Sequence, residues 1–114
     1  MHIDFGFLIS NSPGGNRNFE KAPFKLTEEM VEIMGGPHSQ YFDEYLELMK
    51  LGFRAIQENA RKIIVIIEMM FMGQNDMPCF QGGEQALVDL KARFFPKAKK
   101  FSDTEAHRFV ANLV

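Results

Sequence analysis

One carboxylate in this chain stands in a setting where a carboxylate does chemistry. The chain opens His2-Ile3-Asp4-Phe5-Gly6-Phe7, so Asp4 follows a short apolar run and precedes an aromatic residue and a glycine. In a phosphoryl-transfer site such an Asp holds Mg²⁺ against the nucleotide phosphates, the Phe packs to fix it, and the Gly lets the chain turn away. Taken alone, the same triplet is also what an ordinary strand-end turn looks like, with the Asp capping local amides.

The loop that follows carries three dispersed cations, Arg17, Lys21 and Lys25, with Glu20 beside Lys21. Asn11 to Asn18 is turn chemistry, in which Pro13 presets one backbone angle while Gly14 and Gly15 tolerate positive φ. It is not a phosphate-cradling P-loop, because the Gly-Lys-Ser/Thr ending is missing, and the spacing of a dinucleotide fingerprint is missing too. His2, His38, His107 and Cys79 are too scattered to make a zinc site. No Ser-His-Asp or Cys-His arrangement stands out.

The company Asp4 keeps narrows the reading. The His2-to-Gly6 opening and the Pro23-Phe24-Lys25-Leu26-Thr27 close resemble the metal-binding motif and activation loop of the phosphatidylinositol 3/4-kinase superfamily, and not those of ordinary protein kinases. Ser12-Pro13-Gly14-Gly15-Asn16, Phe19-Glu20, Leu26 to Val31 and Ile33-Met34-Gly35-Gly36 look like the type III phosphatidylinositol 4-kinases. Met77-Pro78-Cys79-Phe80 and Ala92-Arg93-Phe94 are similar to that family as well, leaning toward its alpha branch.

This resemblance implies a set of roles. Asp4 is the ligand of Mg²⁺ (or Mn²⁺), with His2, Phe5 and Gly6 as supporting motif positions, and ATP is the co-substrate. Residues 4–27 form the metal-binding motif and activation loop, in which Arg17, Lys21 and Lys25 meet the substrate, and residues 28–114 are helical support. Kinases acting on already phosphorylated inositides need a dense basic run in that loop, because each added phosphate needs partners. Three scattered cations fit phosphatidylinositol itself, with phosphatidylinositol 4-phosphate as the product. The implied setting is cytoplasmic and peripheral at a membrane surface, the implied partner is the rest of a kinase chain, and no nucleic-acid role is expected. Two other readings stay open: a non-catalytic helical interaction module of kinase ancestry, and a phosphatidylinositol 3-kinase segment.

The totals agree with one domain or part of one. The 114 residues are 46% hydrophobic and 25% charged, which excludes a disordered chain. A net charge of −2 exerts no global pull on nucleic acid or membrane, so any such attraction has to be local. Twelve Phe and eight Met, with no Trp, point to a soft apolar interior. With one cysteine, no intrachain disulfide forms, which fits a reducing compartment. The start lacks the features of a signal peptide. The longest apolar stretch, residues 63–72 with Glu68 inside it, is about half the ~20 residues that cross a bilayer.

The elements that must position Asp4 are mainly helices. A short buried strand pair is expected over residues 2–9. Thr27 is placed to cap a short helix that Gly35-Gly36-Pro37 stops. Ser39 caps a helix over 40–57, with Phe42, Tyr45, Leu46, Met49, Phe53 and Ile56 as one apolar stripe and Asp43, Glu44 and Glu47 as a solvated face. Residues 60–73 read as a helix buried on nearly every side at the centre of a bundle, its methionines filling core. A loop over 73–83 leads to a helix over 84–95 ended by Pro96. Ser102-Asp103-Thr104-Glu105 then opens a last helix as a capping box. Lys91, Arg93, Lys97, Lys99 and Lys100, with no acid between them, make either a solvated turn or a stripe that touches anionic lipid.

The fold class expected is therefore mainly α with a short N-terminal strand pair, the latter part of the C-terminal lobe of a kinase-like catalytic domain. In this superfamily the phosphate-covering loop, the ATP-binding lysine and the catalytic base all precede the Asp-Phe-Gly motif, and only three residues precede Asp4 here. The chain thus reads as truncated, and its first ~20 residues, without their strand partners, are expected to be poorly ordered alone. The 114 residues by themselves are expected to transfer no phosphoryl group; ATP-dependent phosphorylation of lipid by a clean preparation would overturn this.

Overall fold

A computed structural model describes residues 26–114, so the strand pair expected over 2–9 lies outside the described residues. Within them every regular element is helical. Four α-helices follow in order: α1 (Glu28–Ile33), α2 (Gln40–Gly73), α3 (Glu84–Phe94) and α4 (Asp103–Leu113). A single 3₁₀ turn at Pro78–Phe80 stands between α2 and α3, and a turn at Pro96–Ala98 follows α3. The described residues divide into two compact units, one made of residues 26–58 with Lys100–Val114, the other of Asn59–Lys99.

Local chemistry sets the helix ends. The Thr27 hydroxyl accepts from the Met30 amide at 3.4 Å and so caps α1. Gly35 and Gly36 both take φ of +90°, which only glycine adopts cheaply, and their amides bond back to Glu32 and Val31 carbonyls at 2.9 Å. Ser39 then works in both directions: its hydroxyl donates to the Met34 carbonyl and accepts from the Phe42 amide at 3.1 Å. Ser102 accepts from the Glu105 amide at 3.3 Å while the Glu105 carboxylate takes the Ser102 amide at 3.0 Å, completing the capping box of α4.

The two helices expected over 40–57 and 60–73 are one. Residues 57–62, Gln-Glu-Asn-Ala-Arg-Lys, contain no Pro or Gly and are mostly good helix formers, so nothing stops the helix there. Nor is the apolar run buried all round. Ala60 is fully buried and Ile63, Ile64, Ile67, Met70 and Phe71 partly so, one face at helical spacing. Val65, Ile66, Met69 and Met72 are exposed on the other. Ile56, expected on the buried stripe, is exposed as well.

Each unit has its own core. In the unit containing Asn59–Lys99, Cys79, Phe80 and Ala86 are buried, and Ile67, Met70, Phe71 and Met77 pack against them. The Phe71 and Phe80 rings meet edge to face, centroids 5.3 Å apart, so the Met-Pro-Cys-Phe turn is a plug against the end of α2. In the other unit three rings interlock: Phe53 with Phe109 at 4.9 Å, Phe101 with Phe109 at 5.4 Å, and Phe53 with Phe101 at 5.9 Å. Phe42, Ala106 and Val110 are buried in the same unit.

The turn after α3 is strained. Lys97 and Ala98 have φ of 61° and 56°, left-handed values that cost a residue with a Cβ about 1–2 kcal/mol each. Lys97→Gly relieves this at the expense of some unfolded-chain entropy, so a net gain of about 0.5–1 kcal/mol is expected. Urea unfolding followed by helical circular dichroism checks it, and a loss of stability would show the turn to be held some other way.

Candidate functional site

Asp4, the supporting His2, Phe5 and Gly6, and the basic Arg17, Lys21 and Lys25 all lie outside the described residues. What the structure does describe is the mount to which that segment is joined. Thr27, two residues beyond Lys25, fixes the chain direction by capping α1, and Glu28 and Glu29 occupy the first turn, where the helix dipole favours anions. The Glu29 carboxyl is held below its ordinary value by a bond from its own backbone amide and then by the Thr27 hydroxyl. The α1–α2 corner is fixed by the bonds of Ser39 and by the two left-handed glycines.

Behind that corner is a polar network. Lys50 is only 7% exposed, although it is a lysine on a helix. Its ammonium meets the Glu47 carboxylate at 2.6 Å and Asp103, at the start of α4, at 3.3 Å. Arg54 reaches the other Asp103 oxygen at 2.9 Å, and His107 Nδ1 lies 3.4 Å from Glu47. One turn further along, the buried Gln57 accepts the Phe101 amide at 2.9 Å through Oε1. These groups tie α2 to the start of α4 at several points.

The electrostatics say what this network can do. The bond to Glu47 and then those to Asp103 raise Lys50 above the ordinary lysine value, against the opposing effect of desolvation. The bonds from Lys50 and Arg54 hold Asp103 below the ordinary aspartate value. Both groups therefore stay charged across neutral pH, which suits a clamp and not a proton carrier. Among the described residues no group of His, Cys, Asp and Glu is placed to hold a metal ion.

Sequence reasoning missed Lys50 and Gln57, although a signal was present. They fall at helical spacing on the stripe of Phe42, Leu46 and Phe53, and a polar residue on an apolar stripe needs a partner. The acidic face of α2 is exposed as expected, but Glu47 also engages Lys50 and His107.

The comparisons say which family these helices belong to. Residues 1–81 match the model of the family described as phosphatidylinositol 3- and 4-kinase. The chain belongs to this family. It is 45% identical over 114 residues to a phosphatidylinositol 4-kinase of Dictyostelium discoideum, covering all of this chain and 9% of that protein. It is 43% identical over 113 residues to one of Saccharomyces cerevisiae, covering 99% of this chain and 10% of the relative. It is also 45% identical over 98 residues to phosphatidylinositol 4-kinase beta 1 of Arabidopsis thaliana, covering 82% of this chain and 8% of the relative. The chain therefore spans about a tenth of the length of the curated relatives it matches. The relative named here by branch is a beta kinase, so the leaning toward the alpha branch is not what the comparisons favour. No solved structure matches the chain.

The clamp makes a prediction about pH. Because the folded value of Asp103 is depressed, its stabilisation is present above the ordinary aspartate value of 3.8 and is lost as pH falls through the depressed one. Because that of Lys50 is raised, its stabilisation is present below 10.5 and is lost as pH rises through the raised value. Asp103→Asn is expected to lower the thermal midpoint at neutral pH and to flatten the acid limb of the midpoint-against-pH curve. If variant and unaltered chain lose stability in parallel on acidification, Asp103 is not part of a working clamp.

Proposed function

We propose that this chain is part of the catalytic domain of a phosphatidylinositol 4-kinase, which transfers the γ-phosphate of ATP to the inositol 4-hydroxyl. In this reading residues 4–27 are the metal-binding motif and activation loop, and residues 28–114 are their helical support in the C-terminal lobe. The observation that carries it is identity of 43–45% along essentially the whole chain to phosphatidylinositol 4-kinases from two unrelated sources. The family match, which spans residues 1–81, includes Asp4.

The donor chemistry fits. A lone carboxylate beside bound phosphates is how Mg²⁺ is commonly held, with one or two carboxylates and the nucleotide sharing its sphere. When bound there, the ion supplies charge neutralisation along the transferring phosphate. In this reading Asp4 would hold it, with His2, Phe5 and Gly6 as the supporting positions of the motif. Arg17, Lys21 and Lys25 meet the phosphodiester of phosphatidylinositol, a single-phosphate headgroup that three dispersed cations match. The catalytic base belongs to residues preceding the motif. α1 and the Ser39 corner follow the loop in the chain, and the Lys50–Asp103–Arg54 clamp ties α2 to the start of α4. The enzyme works peripherally at a cytoplasmic membrane face. No helix among the described residues is long and apolar enough to cross a bilayer.

The test is a graft. These 114 residues replace the matching stretch of the Saccharomyces cerevisiae relative, and the product formed from phosphatidylinositol and ATP is resolved by headgroup chromatography. Phosphatidylinositol 4-phosphate is expected, with Asp4→Asn lowering its formation by roughly 10²–10³-fold. A 3-phosphate product would remove the assignment to the 4-hydroxyl, and unchanged activity in Asp4→Asn would remove the metal role.

A further inference from the structure

We infer that the C-terminal end of α3 and the turn after it form a contact site for an anionic membrane surface. The inference rests on the lipid-kinase reading for its choice of partner, since an enzyme whose substrate is a phospholipid works where such surfaces are.

The face is defined by spacing. Val88, Lys91, Ala92 and Phe95 recur at i, i+3, i+4 and i+7, one stripe along α3. It is distinct from the side carrying the buried Ala86 and Leu90. Val88 is 55% exposed, an apolar side chain left in water near the lysines. Beyond the helix end the chain turns so that Lys97 and Ala98 join Lys91, Ala92 and Phe95 around one open hollow of about 410 Å³. Its lining is apolar and aromatic apart from the two lysines, and from Lys91 to Lys99 there is no acidic residue. Phospholipid at a bilayer surface offers the complement: phosphate and carboxylate at the headgroup level, with apolar chain just below.

The plain alternative is a solvated helix end. It accounts for Lys91 and Arg93, which sit in the last turn of α3 where the dipole favours cations. It also accounts for the exposed pair of Lys91 with Glu68 at 2.7 Å. It does not account for Lys97, an exposed lysine in the left-handed region, which glycine would occupy more cheaply. A strained backbone that presents a charge beside an apolar hollow is the kind of cost that persists where the charge has a use.

Lys97→Gly tests this cleanly, because it removes the charge while easing the backbone, so lost binding cannot be blamed on lost fold. The 114-residue chain is sedimented with vesicles of phosphatidylcholine alone and of four parts phosphatidylcholine to one part phosphatidylserine. Binding is expected only to the second, weakened roughly five-fold by Lys97→Gly, as for one lysine near an anionic surface. It should also weaken with added salt. Val88→Ser, which alters no charge, should weaken it too. Equal binding to both vesicles, Lys97→Gly binding as well as the unaltered chain, or displacement by inorganic phosphate at constant ionic strength would each overturn the inference. Failure here, with the grafted kinase still active on phosphatidylinositol, would leave the proposed function standing. Charge-dependent binding with an inactive graft would do the reverse.

Discussion

The architecture depends on α2 remaining one helix from Gln40 to Gly73. Its first part supplies the apolar face of one unit and its last part that of the other. Gly52 is the one internal weak point, at about 1 kcal/mol against alanine, and it is exposed with open space around it. The chain tolerates it because helices in proteins are held chiefly by what they pack against, not by propensity.

In the unit of residues 26–58 and Lys100–Val114, packing and polar pairing act together. Three rings from α2, the segment before α4, and α4 itself interlock, and around them stand groups that need partners: the Lys50 ammonium and the buried Phe101 amide. An unpaired buried donor forfeits its hydration and gains nothing back. Gln57 and Asp103 remove that penalty only when α4 sits in one register, so the network selects an arrangement that the rings alone would leave loose. This is an ordering role, and it accounts for charge on a stripe otherwise made of Phe, Leu and Met.

Caps and stops were readable in the sequence because their chemistry is local. Thr27, Ser39, Gly35-Gly36 and Ser102 with Glu105 all act within five residues of themselves, and each does what its type and position predict. The break between 57 and 60 was misread because a change from amphipathic to apolar composition looks like a boundary, although no residue there can end a helix. The burial of 60–73 was misread for a related reason. Composition counts apolar residues, but exposure depends on which neighbours arrive, and Met77, Cys79, Phe80 and Ala86 cover one face of that helix and not the other. Lys50 and Gln57 were hidden for the same reason: Asp103 and Phe101 lie more than forty residues away. Of the site proper, the motif around Asp4 was legible as a resemblance, while its geometry belongs to residues 1–25.

The span of the family match raises a question that the packing answers. The match ends at residue 81, before α3 and α4, although relatives in Dictyostelium and Saccharomyces align along essentially all 114 residues. On α2 within the match, Phe53 meets the rings of Phe101 and Phe109, both outside it, and Lys50 finds Asp103 there. Likewise Ala86, just beyond the match, is part of the cluster around Cys79 and Phe80, inside it. A fold cut at residue 81 would open both cores and leave the buried Lys50 with Glu47 as its one remaining ion-pair partner. Residues 82–114 are thus needed to bury what the matched residues leave apolar, so the smallest structural unit of this region is longer than the segment the family model matches.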